Sequence, residues 1–258
     1  MWGWIGLLGV FKRVDSLGRR LVIVLQGLPC SWGRCSFCPF VLEQSARVGE
    51  VIETNRRILE EAYRVAREFD PDRVSVFNGS SFFELPVDTV LRLPPLTRGR
   101  VVDVEARSEQ VWLEALSSLL KLLEARKLVV RVGFEVWDEK IRNEYLRKGM
   151  PQSEVYRLAR LREEVRERGL PIEFLVYVLF GIEGVGEEEV RRSVQEFSKL
   201  FDGVVCVRYH RYLPGHPREA PISSELRRFL EENCLLVDWG EEEEWTIAGK
   251  KGGNSLSK

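Results

Sequence analysis

The sequence predicts an α/β protein built as a partial (β/α)6 barrel of parallel strands. Six short apolar runs alternate with amphipathic helical stretches, the pattern of a parallel sheet with right-handed helical crossovers. Six units are too few to close an eight-fold barrel, so the barrel is expected to stay open. A doubly wound open sheet is the competing topology. Polar residues fall at or just after the strand ends, which favours the barrel because those ends share one mouth there.

The first strand, residues 21–25, is an uninterrupted apolar run, as expected of a strand buried on both faces. The other strands are predicted at 73–77, 101–105, 128–134, 172–179 and 203–207. Ile58, Ala62 and Val65 share one face of a helix over 54–69, which Asp70-Pro71 ends. Further helical stretches are predicted at 86–93, before a break at Pro94-Pro95, and at 113–123, 138–147, 153–168, 187–200 and 223–232.

One domain is expected, because no linker interrupts this alternation in 258 residues. Residues 1–20 are interpreted as an apolar segment packing on the core, 21–233 as the core, and 234–258 as an extension with a poorly ordered end. The opening apolar segment lacks the basic region and cleavage site of a signal peptide. No stretch reaches the ~18–20 apolar residues of a membrane helix.

Charge and cysteine content narrow the function classes. The 39 Lys and Arg residues balance 40 acidic residues, so overall charge gives no case for nucleic-acid binding. RNA contact would need a second protein or a local patch, to which Arg208, Arg211, Arg218, Arg227 and Arg228 could contribute. Five cysteines, three of them clustered, indicate metal ligation in a reducing compartment, by default the cytoplasm. Cys206 and Cys234 are expected to pack as small hydrophobes. High charge with few Met, Asn and Gln is typical of heat-adapted proteins.

Cys30, Cys35 and Cys38 follow the first strand at the spacing C-x4-C-x2-C. Three thiolates can hold three irons of a cubane cluster and leave the fourth iron open to a ligand. No fourth Cys or His follows nearby, although distant His210 or His216 could complete a zinc site. The strand-helix pattern after the triad favours iron-sulfur over a zinc knuckle.

A cysteine triad after the first strand of a (β/α)6 pattern resembles the radical S-adenosylmethionine (SAM) superfamily. The resemblance implies a [4Fe-4S] cluster whose open iron binds SAM, and a 5'-deoxyadenosyl radical made by reductive cleavage. A low-potential reductant is also implied. The usual spacing in that superfamily is C-x3-C-x2-C, so the loop here is one residue longer.

The resemblance also assigns cofactor-binding roles at the later strand ends. Phe37 resembles the aromatic residue that contacts the adenine, and Asn78-Gly79-Ser80 stands where a glycine-rich motif holds the methionine amino group. Glu105 and Arg107 resemble the Glu-x-Arg pair that meets the ribose and the methionine carboxylate. Tyr212 and Pro214 belong to a stretch similar to the one that lines the adenine. Each assignment has a purely structural alternative. Phe37 could seal the cluster from solvent, Asn78-Gly79-Ser80 could be a simple turn, and Glu105 and Arg107 could form a surface ion pair.

Three residues are candidates for catalysis on the substrate side. Glu135 interrupts an apolar strand end, and a buried carboxylate needs a polar partner. His210 and His216 could act as acid or base, although most lone histidines are plain polar contacts.

Within the superfamily the chain is most similar to the archaeal radical SAM subunits of archaeosine synthase, in the elongator-like branch. The similarity lies in 21–35, 78–84, 101–109 and 132–149. It implies carbon-nitrogen cleavage of a lysine adduct on the deazaguanine at position 15 of tRNA, with a partner transferase subunit. The alternatives are a radical SAM enzyme acting on a peptide or small metabolite, and a non-catalytic iron-sulfur or zinc protein.

Overall fold

The fold is organised around one curved sheet. A computed structural model describes residues 8–240 and, as backbone, a short strand at Thr246–Ile247. The described strands are β1 (Gly9–Asp15), β2 (Gly18–Leu25), β3 (Arg73–Asn78), β4 (Val101–Glu105), β5 (Lys127–Glu135), β6 (Ile172–Phe180), β7 (Gly203–Arg208), β8 (Leu236–Asp238) and β9 (Thr246–Ile247). Their order is β8-β7-β6-β5-β4-β3-β2-β1-β9. Neighbours from β2 to β8 are parallel, which confirms the predicted partial barrel.

Helices cover the outer face of this sheet. They are α1 (Val48–Phe69), α2 (Val87–Leu91), α3 (Pro94–Thr97), α4 (Leu113–Leu122), α5 (Gln152–Glu167), α6 (Glu187–Leu200) and α7 (Ser224–Asn233), with a π-helical turn at Ile141–Tyr145. The first helix begins six residues before the predicted start at Thr54. Pro94-Pro95 starts a short helix instead of breaking the chain, because proline suits the first helical turn.

Alternation along the strands separates two environments. Leu21, Ile23 and Leu25 belong to the large apolar cluster between sheet and helices. Val22 and Val24 form a separate small cluster with Phe11, on the inner face of the barrel. Side chains of one strand point alternately to opposite faces, so the inner face takes residues from every second position. Several of those inner positions hold charged residues.

The expectation that all strands run parallel was wrong at one edge. Residues 9–15 form β1, which pairs antiparallel with β2 through a two-residue turn, and β9 pairs antiparallel with β1. The backbone N–H of Leu17 donates to Asp15 Oδ1 at 2.9 Å in that turn, and Gly18 adopts a φ of +97°. The predicted apolar segment is therefore partly a sheet edge. Its residues 1–7, and the tail residues 241–245 and 248–258, lie outside the described part.

Cys206 and Cys234 correct a further expectation. They form a disulfide, 28 residues apart in sequence, instead of packing as free small hydrophobes. Cys206 lies in β7, and Cys234 ends α7 directly before β8. The backbone N–H of Leu235 donates to Val204 O at 2.9 Å, which holds this junction against β7. Pairing of β7 with β8 brings the two sulfurs together, which spacing alone did not indicate.

The sheet curls until its two ends approach each other. Ser16, in the turn between β1 and β2, donates from Oγ to Leu235 O at 3.2 Å, across 219 residues of sequence. Leu235 directly precedes β8, so the contact joins opposite ends of the parallel sheet. The inner face is thereby enclosed as a lumen. None of the described helices combines the length and apolar character that a bilayer span requires.

Candidate active site

A cavity of about 460 Å³ opens at the mouth of the barrel and extends into the lumen. Small-molecule sites have volumes of about 300–1,000 Å³. The segments after β2, β3, β4, β5 and β7 all contribute to its wall. The predicted site residues among them are Cys30, Cys35, Phe37, Cys38, Gly79, Ser80, Glu105, Arg107, Glu135, His210, Tyr212 and His216.

The three free cysteines lie half-buried in one loop on this wall. The backbone N–H of Cys38 donates to Cys35 O at 3.4 Å, so the second and third cysteines sit on one tight turn. Gly33, inside the longer first gap, adopts a φ of +57°, which favours glycine. Burial raises the pKa of Cys38 to about 12 and also raises that of Cys35. Metal binding must therefore displace protons from these thiols.

The cysteine loop is held against the segment that follows β5. Trp32 donates from Nε1 to Arg147 O at 2.7 Å, and the backbone N–H of Ser36 donates to Leu146 O at 3.0 Å. A Cβ on Gly149 would come within 2.2 Å of the Trp32 ring, and Gly149 adopts a φ of +67°. Only glycine fits there without displacing the indole. Trp32, inside the longer first gap, is thus held by a specific contact.

The other side of the loop is fixed by the segments around β3. The backbone N–H of Ser31 donates to Glu84 Oε1 at 3.0 Å, and Gln44 accepts at Oε1 from the backbone N–H of Cys30 at 3.3 Å. Burial opposes ionisation of Glu84, but hydrogen bonds, including those from Ser31, hold the pKa of that carboxyl below its usual value. Glu84 therefore stays ionised while it orients the loop.

The thiol arrangement fits a cluster better than a single ion. Within residues 8–240, no three histidine, cysteine or acidic side chains converge closely enough to hold one metal ion. A zinc ion would need its ligands about 2.0–2.3 Å from one point. Three irons of a cubane each take their own thiolate, which requires wider spacing. Three free thiols on one loop match the donor set of a cubane cluster with one open iron, and Cys30, Cys35 and Cys38 would hold it.

Glu105, at the end of β4, forms no ion pair within 4 Å among the described residues, although Lys148 and Arg131 act on it electrostatically. Burial raises its pKa to about 7; Lys148 opposes the shift, and Glu135 adds to it. The carboxyl is therefore partly protonated at neutral pH. It can donate a hydrogen bond as an acid or accept one as a carboxylate.

Glu135 lies on a distorted strand end and is paired. The register between β5 and β6 shifts between Gly133 and Glu135, and Glu135 has a φ of +70°. Its Oε1 lies 2.7 Å from Lys148 Nζ, and a Cβ on Gly133 would lie only 2.3 Å from that oxygen. Burial opposes the charge of Lys148, but the Glu135 carboxylate holds the lysine pKa above its usual value. A backbone conformation that costs roughly 1–3 kcal/mol is thus kept where a charged pair faces the cavity.

Phe37 and Arg107 both lie beside Lys148 on the cavity wall. Lys148 Nζ lies 5.7 Å from the centre of the Phe37 ring. Arg107 is only 7% exposed and donates from Nη2 to Lys148 O at 3.2 Å. Its guanidinium also lies 5.3 Å from the Trp32 ring. Arg107 therefore ties the end of β4 to both the cysteine loop and the Lys148 segment.

Of the three predicted site residues at and just after the end of β3, two line the cavity and one shapes the turn. Gly79 and Ser80 line the cavity, and a Cβ on Gly79 would come within 2.6 Å of Glu43 O. Asn78 is 4% exposed and does not line the cavity; its Nδ2 donates to Ser80 Oγ at 2.9 Å and to Ser81 O at 3.2 Å. Asn78 thus shapes the turn that presents Gly79 and Ser80, and its contact with a cofactor stays a prediction.

The predicted residues after β7 differ in position. Tyr212 and His216 line the cavity, and burial lowers the pKa of His216. His210 also lines it, but its Nε2 lies 3.0 Å from Trp239 O and its Nδ1 3.8 Å from Glu219 Oε2. Pro214 does not line the cavity; its carbonyl accepts a hydrogen bond from Arg211. The cofactor contact of Pro214 stays a prediction.

Sequence reasoning missed several residues of the cavity wall. Lys148 lies in a stretch that was matched for its resemblance but given no role, and Glu84 was treated likewise. Arg131 and Tyr177 lie inside predicted strands, where only their polarity in an apolar run could have signalled an inward position. Arg20 directly precedes the apolar run of β2 and gave no such signal.

Comparisons with known proteins agree with this geometry. No protein-family model matches the chain. The chain is 25% identical over 198 residues to the archaeosine synthase subunit beta of Methanosarcina acetivorans, an alignment that covers 72% of this chain. It covers 56% of that protein, so the chain spans little more than half the length of this curated relative.

A solved structure supports the fold. A queuine lyase from Clostridium spiroforme, bound to SAM and queuine, matches with a TM-score of 0.70 and 20% identity, over 93% of this chain and 99% of that one. A radical SAM methyltransferase, TsrM, from Kitasatospora setae matches at a TM-score of 0.43 and 20% identity, over 73% of this chain and 35% of that one, which is too distant for inference.

Proposed function

The sequence similarity, the partial barrel and the cysteine triad support membership of the radical SAM superfamily, and we propose that the chain is a radical SAM enzyme. Cys30, Cys35 and Cys38 would hold a [4Fe-4S] cluster, and the adjoining cavity would hold SAM. The bound pair would supply a 5'-deoxyadenosyl radical that removes a hydrogen atom from the substrate. The observation that carries this proposal is the shared cavity, which the three thiols line together with Glu105, Arg107 and the Glu135–Lys148 pair.

The polar side chains have distinct tasks in this proposal. SAM carries a carboxylate, an amino group and ribose hydroxyls, and the wall offers both charge signs for them. Glu105, with a pKa of about 7, can hydrogen-bond to hydroxyls in either protonation state. Arg107, paired with Glu109, and Lys148, paired with Glu135, place hydrogen-bond donors near the cysteine loop. Phe37 covers an apolar surface and excludes water from the same corner.

For the substrate we propose a modified tRNA base, as in archaeosine formation by cleavage of a lysine adduct on deazaguanine at position 15. The support is the similarity to an archaeosine synthase subunit beta. That name denotes one subunit of an assembly, so a partner transferase subunit is part of the proposal. A low-potential reductant would deliver the electron.

The surface near the mouth favours a division of labour with such a partner. Three of the five arginines considered for a basic patch are paired with carboxylates, at nitrogen–oxygen distances of 2.8–3.7 Å: Arg208 with Glu219, Arg218 with Glu183 and Arg227 with Glu231. Paired arginines attract phosphates weakly. These three arginines therefore offer little for binding tRNA.

The pairing of these arginines also favours a second candidate, a radical SAM enzyme acting on a small metabolite. The similarity to a queuine lyase, which the chain spans almost entirely, directs attention to a free base as substrate. Incubation with adduct-bearing tRNA, with and without a partner subunit, and with free queuine separates the two. Loss of the adduct from tRNA supports the first candidate, and consumption of queuine supports the second.

The class of enzyme is tested before the substrate. The chain is reconstituted anaerobically with iron and sulfide, reduced with dithionite and given SAM. Release of 5'-deoxyadenosine is expected from the wild type and from Cys234→Ala, which removes a cysteine outside the triad. Cys38→Ala should release none. A colourless protein that retains zinc and releases no 5'-deoxyadenosine would refute the proposal.

A further inference from the structure

The lumen below the mouth contains charged residues that the proposed cluster and SAM sites do not use. Arg20 on β2, Asp103 on β4 and Arg131 on β5 are 3%, 0% and 2% exposed. Arg20 and Arg131 line the cavity. Alternation along the strands directs these side chains inward, on the same face as Glu105 and Tyr177. The cavity thus ends against buried guanidinium groups.

These groups are incompletely neutralised. Arg131 Nη2 lies 3.3 Å from Asp103 Oδ2, and Arg73 Nη1 lies 3.5 Å from Asp103 Oδ1, while Arg20 pairs with Asp15. Three guanidinium groups therefore face two carboxylates. Arg13 also lines the cavity and has an interaction partner of its own, so its charge is not counted among these three.

Buried donors in this group lack acceptors among the described residues. Arg20 Nε, Arg131 Nε and Arg131 Nη2 are fully buried and donate no hydrogen bond there. Arg131 Nη2 is within ion-pair distance of Asp103 but not in hydrogen-bond geometry. Burial, and next the charge of Arg131, lower the pKa of Arg20, so the two cations oppose each other. Such an arrangement calls for an acceptor from outside the chain.

The remaining charges of the wall do not supply that acceptor. Lys148 and Glu135 neutralise each other at 2.7 Å. Glu105 is partly protonated at neutral pH, since burial raises its pKa to about 7. Burial raises the pKa of Tyr177, so its phenol stays neutral; it is hydrogen-bonded to Arg131 but carries no negative charge to balance the guanidinium groups. Within the group formed by Arg20, Arg73, Arg131, Asp15 and Asp103, one positive charge is left over.

We propose that Arg20 and Arg131 bind a carboxylate of the substrate, which enters the lumen with its anionic end first. The planar guanidinium fork matches a carboxylate, and an excess of one positive charge matches a monoanion better than a dianionic phosphate. The inference deepens the proposed function and relies on it for the substrate: a lysine adduct carries such a carboxylate. The group would anchor the substrate away from the cysteine loop and leave its other end at the mouth.

The test measures binding by the purified full-length chain, without cluster or SAM. Calorimetry or ligand-observed NMR compares L-lysine with 1,5-diaminopentane, which lacks only the carboxylate, and with inorganic phosphate. L-lysine should bind at least tenfold more tightly than either probe. Arg131→Met and Arg20→Met should each weaken L-lysine binding at least tenfold, whereas Arg98→Met, at an exposed pair with Glu124, should leave it unchanged.

Arg131→Lys distinguishes loss of the binding group from a folding defect, because it keeps the charge beside Asp103 but removes the guanidinium fork. This variant should also weaken L-lysine binding, while its circular dichroism spectrum stays that of the wild type. Absence of saturable L-lysine binding, equal binding of the diamine, tighter binding of phosphate, or wild-type affinity in the arginine variants would each overturn the inference. Because this assay needs no cluster, its failure with intact 5'-deoxyadenosine release would leave the proposed function standing. Saturable L-lysine binding without 5'-deoxyadenosine release would support this inference and contradict the proposed function.

Discussion

Glu105→Gln should stabilise the protein in a pH-dependent way. Burial raises the pKa of Glu105 from 4.5 to about 7, so the folded chain binds this proton more tightly than the unfolded chain. Stability from this carboxyl is therefore full below pH ~4.5 and is lost as the pH rises to about 7. At ~1.36 kcal/mol per pKa unit, the 2.5-unit shift amounts to a loss of about 3 kcal/mol above pH 7. Glutamine is neutral and similar in shape, so the variant escapes that loss.

Urea unfolding of both proteins at pH 5 and pH 8 measures the effect. The variant should gain about 2–3 kcal/mol on the wild type between the two pH values, because most of the 4.5–7 window lies between them. Glu124→Gln, at an exposed ion pair with Arg98, serves as the control and should show no such gain. A difference between variant and wild type that is equal at both pH values would refute the reasoning about Glu105.

Three further outcomes follow from the loop and the disulfide. Cys35→Ala should abolish cluster absorbance after reconstitution but keep the circular dichroism spectrum, because the loop lies on the rim; wholesale unfolding would contradict this placement. Gly149→Ala should displace Trp32 and lower the iron content, whereas Gly99→Ala, with a similar φ of +71° but nothing within 4 Å, should only lose stability; equal iron content would count against the contact. Cys234→Ser should lower the free energy of unfolding by about 3–4 kcal/mol, the loop-closure value for a separation of 28 residues; no loss in urea unfolding would contradict the bond.

The parallel part of the fold was predictable because its signal is local. The β4 strand has the predicted bounds, and the other predicted strands extend by at most three residues at an end. Apolar runs buried on both faces are distinctive, and their alternation with helices leaves few topologies. The strand β1 was missed because its polar positions, Lys12 and Arg13, interrupt the apolar run. It lies between β2 and β9, and it pairs antiparallel with both, whereas the predicted strands are joined by helical crossovers.

The candidate site was only partly predictable. The triad and the strand ends gave most of the cavity wall, because parallel strands end at one mouth. Lys148 was not given a role, since its partner Glu135 is 13 residues away and the strand end between them is distorted. The contact of Trp32 with Arg147 spans 115 residues, which no local pattern encodes. Asn78 and Pro214 were assigned by motif, and only the tertiary structure shows that neither of them lines the cavity.

The sequence by itself determined the spacing of the three thiols, the strand-helix alternation and the balance of charge, since each is a property of neighbouring residues. Only the tertiary structure decided which charges meet in the lumen, that Cys206 reaches Cys234, and that glycine at 149 leaves room for an indole. Those outcomes depend on how far the sheet curls. Curvature sums small twists over many strands, and it brings together side chains whose separation in sequence carries no information about their separation in space.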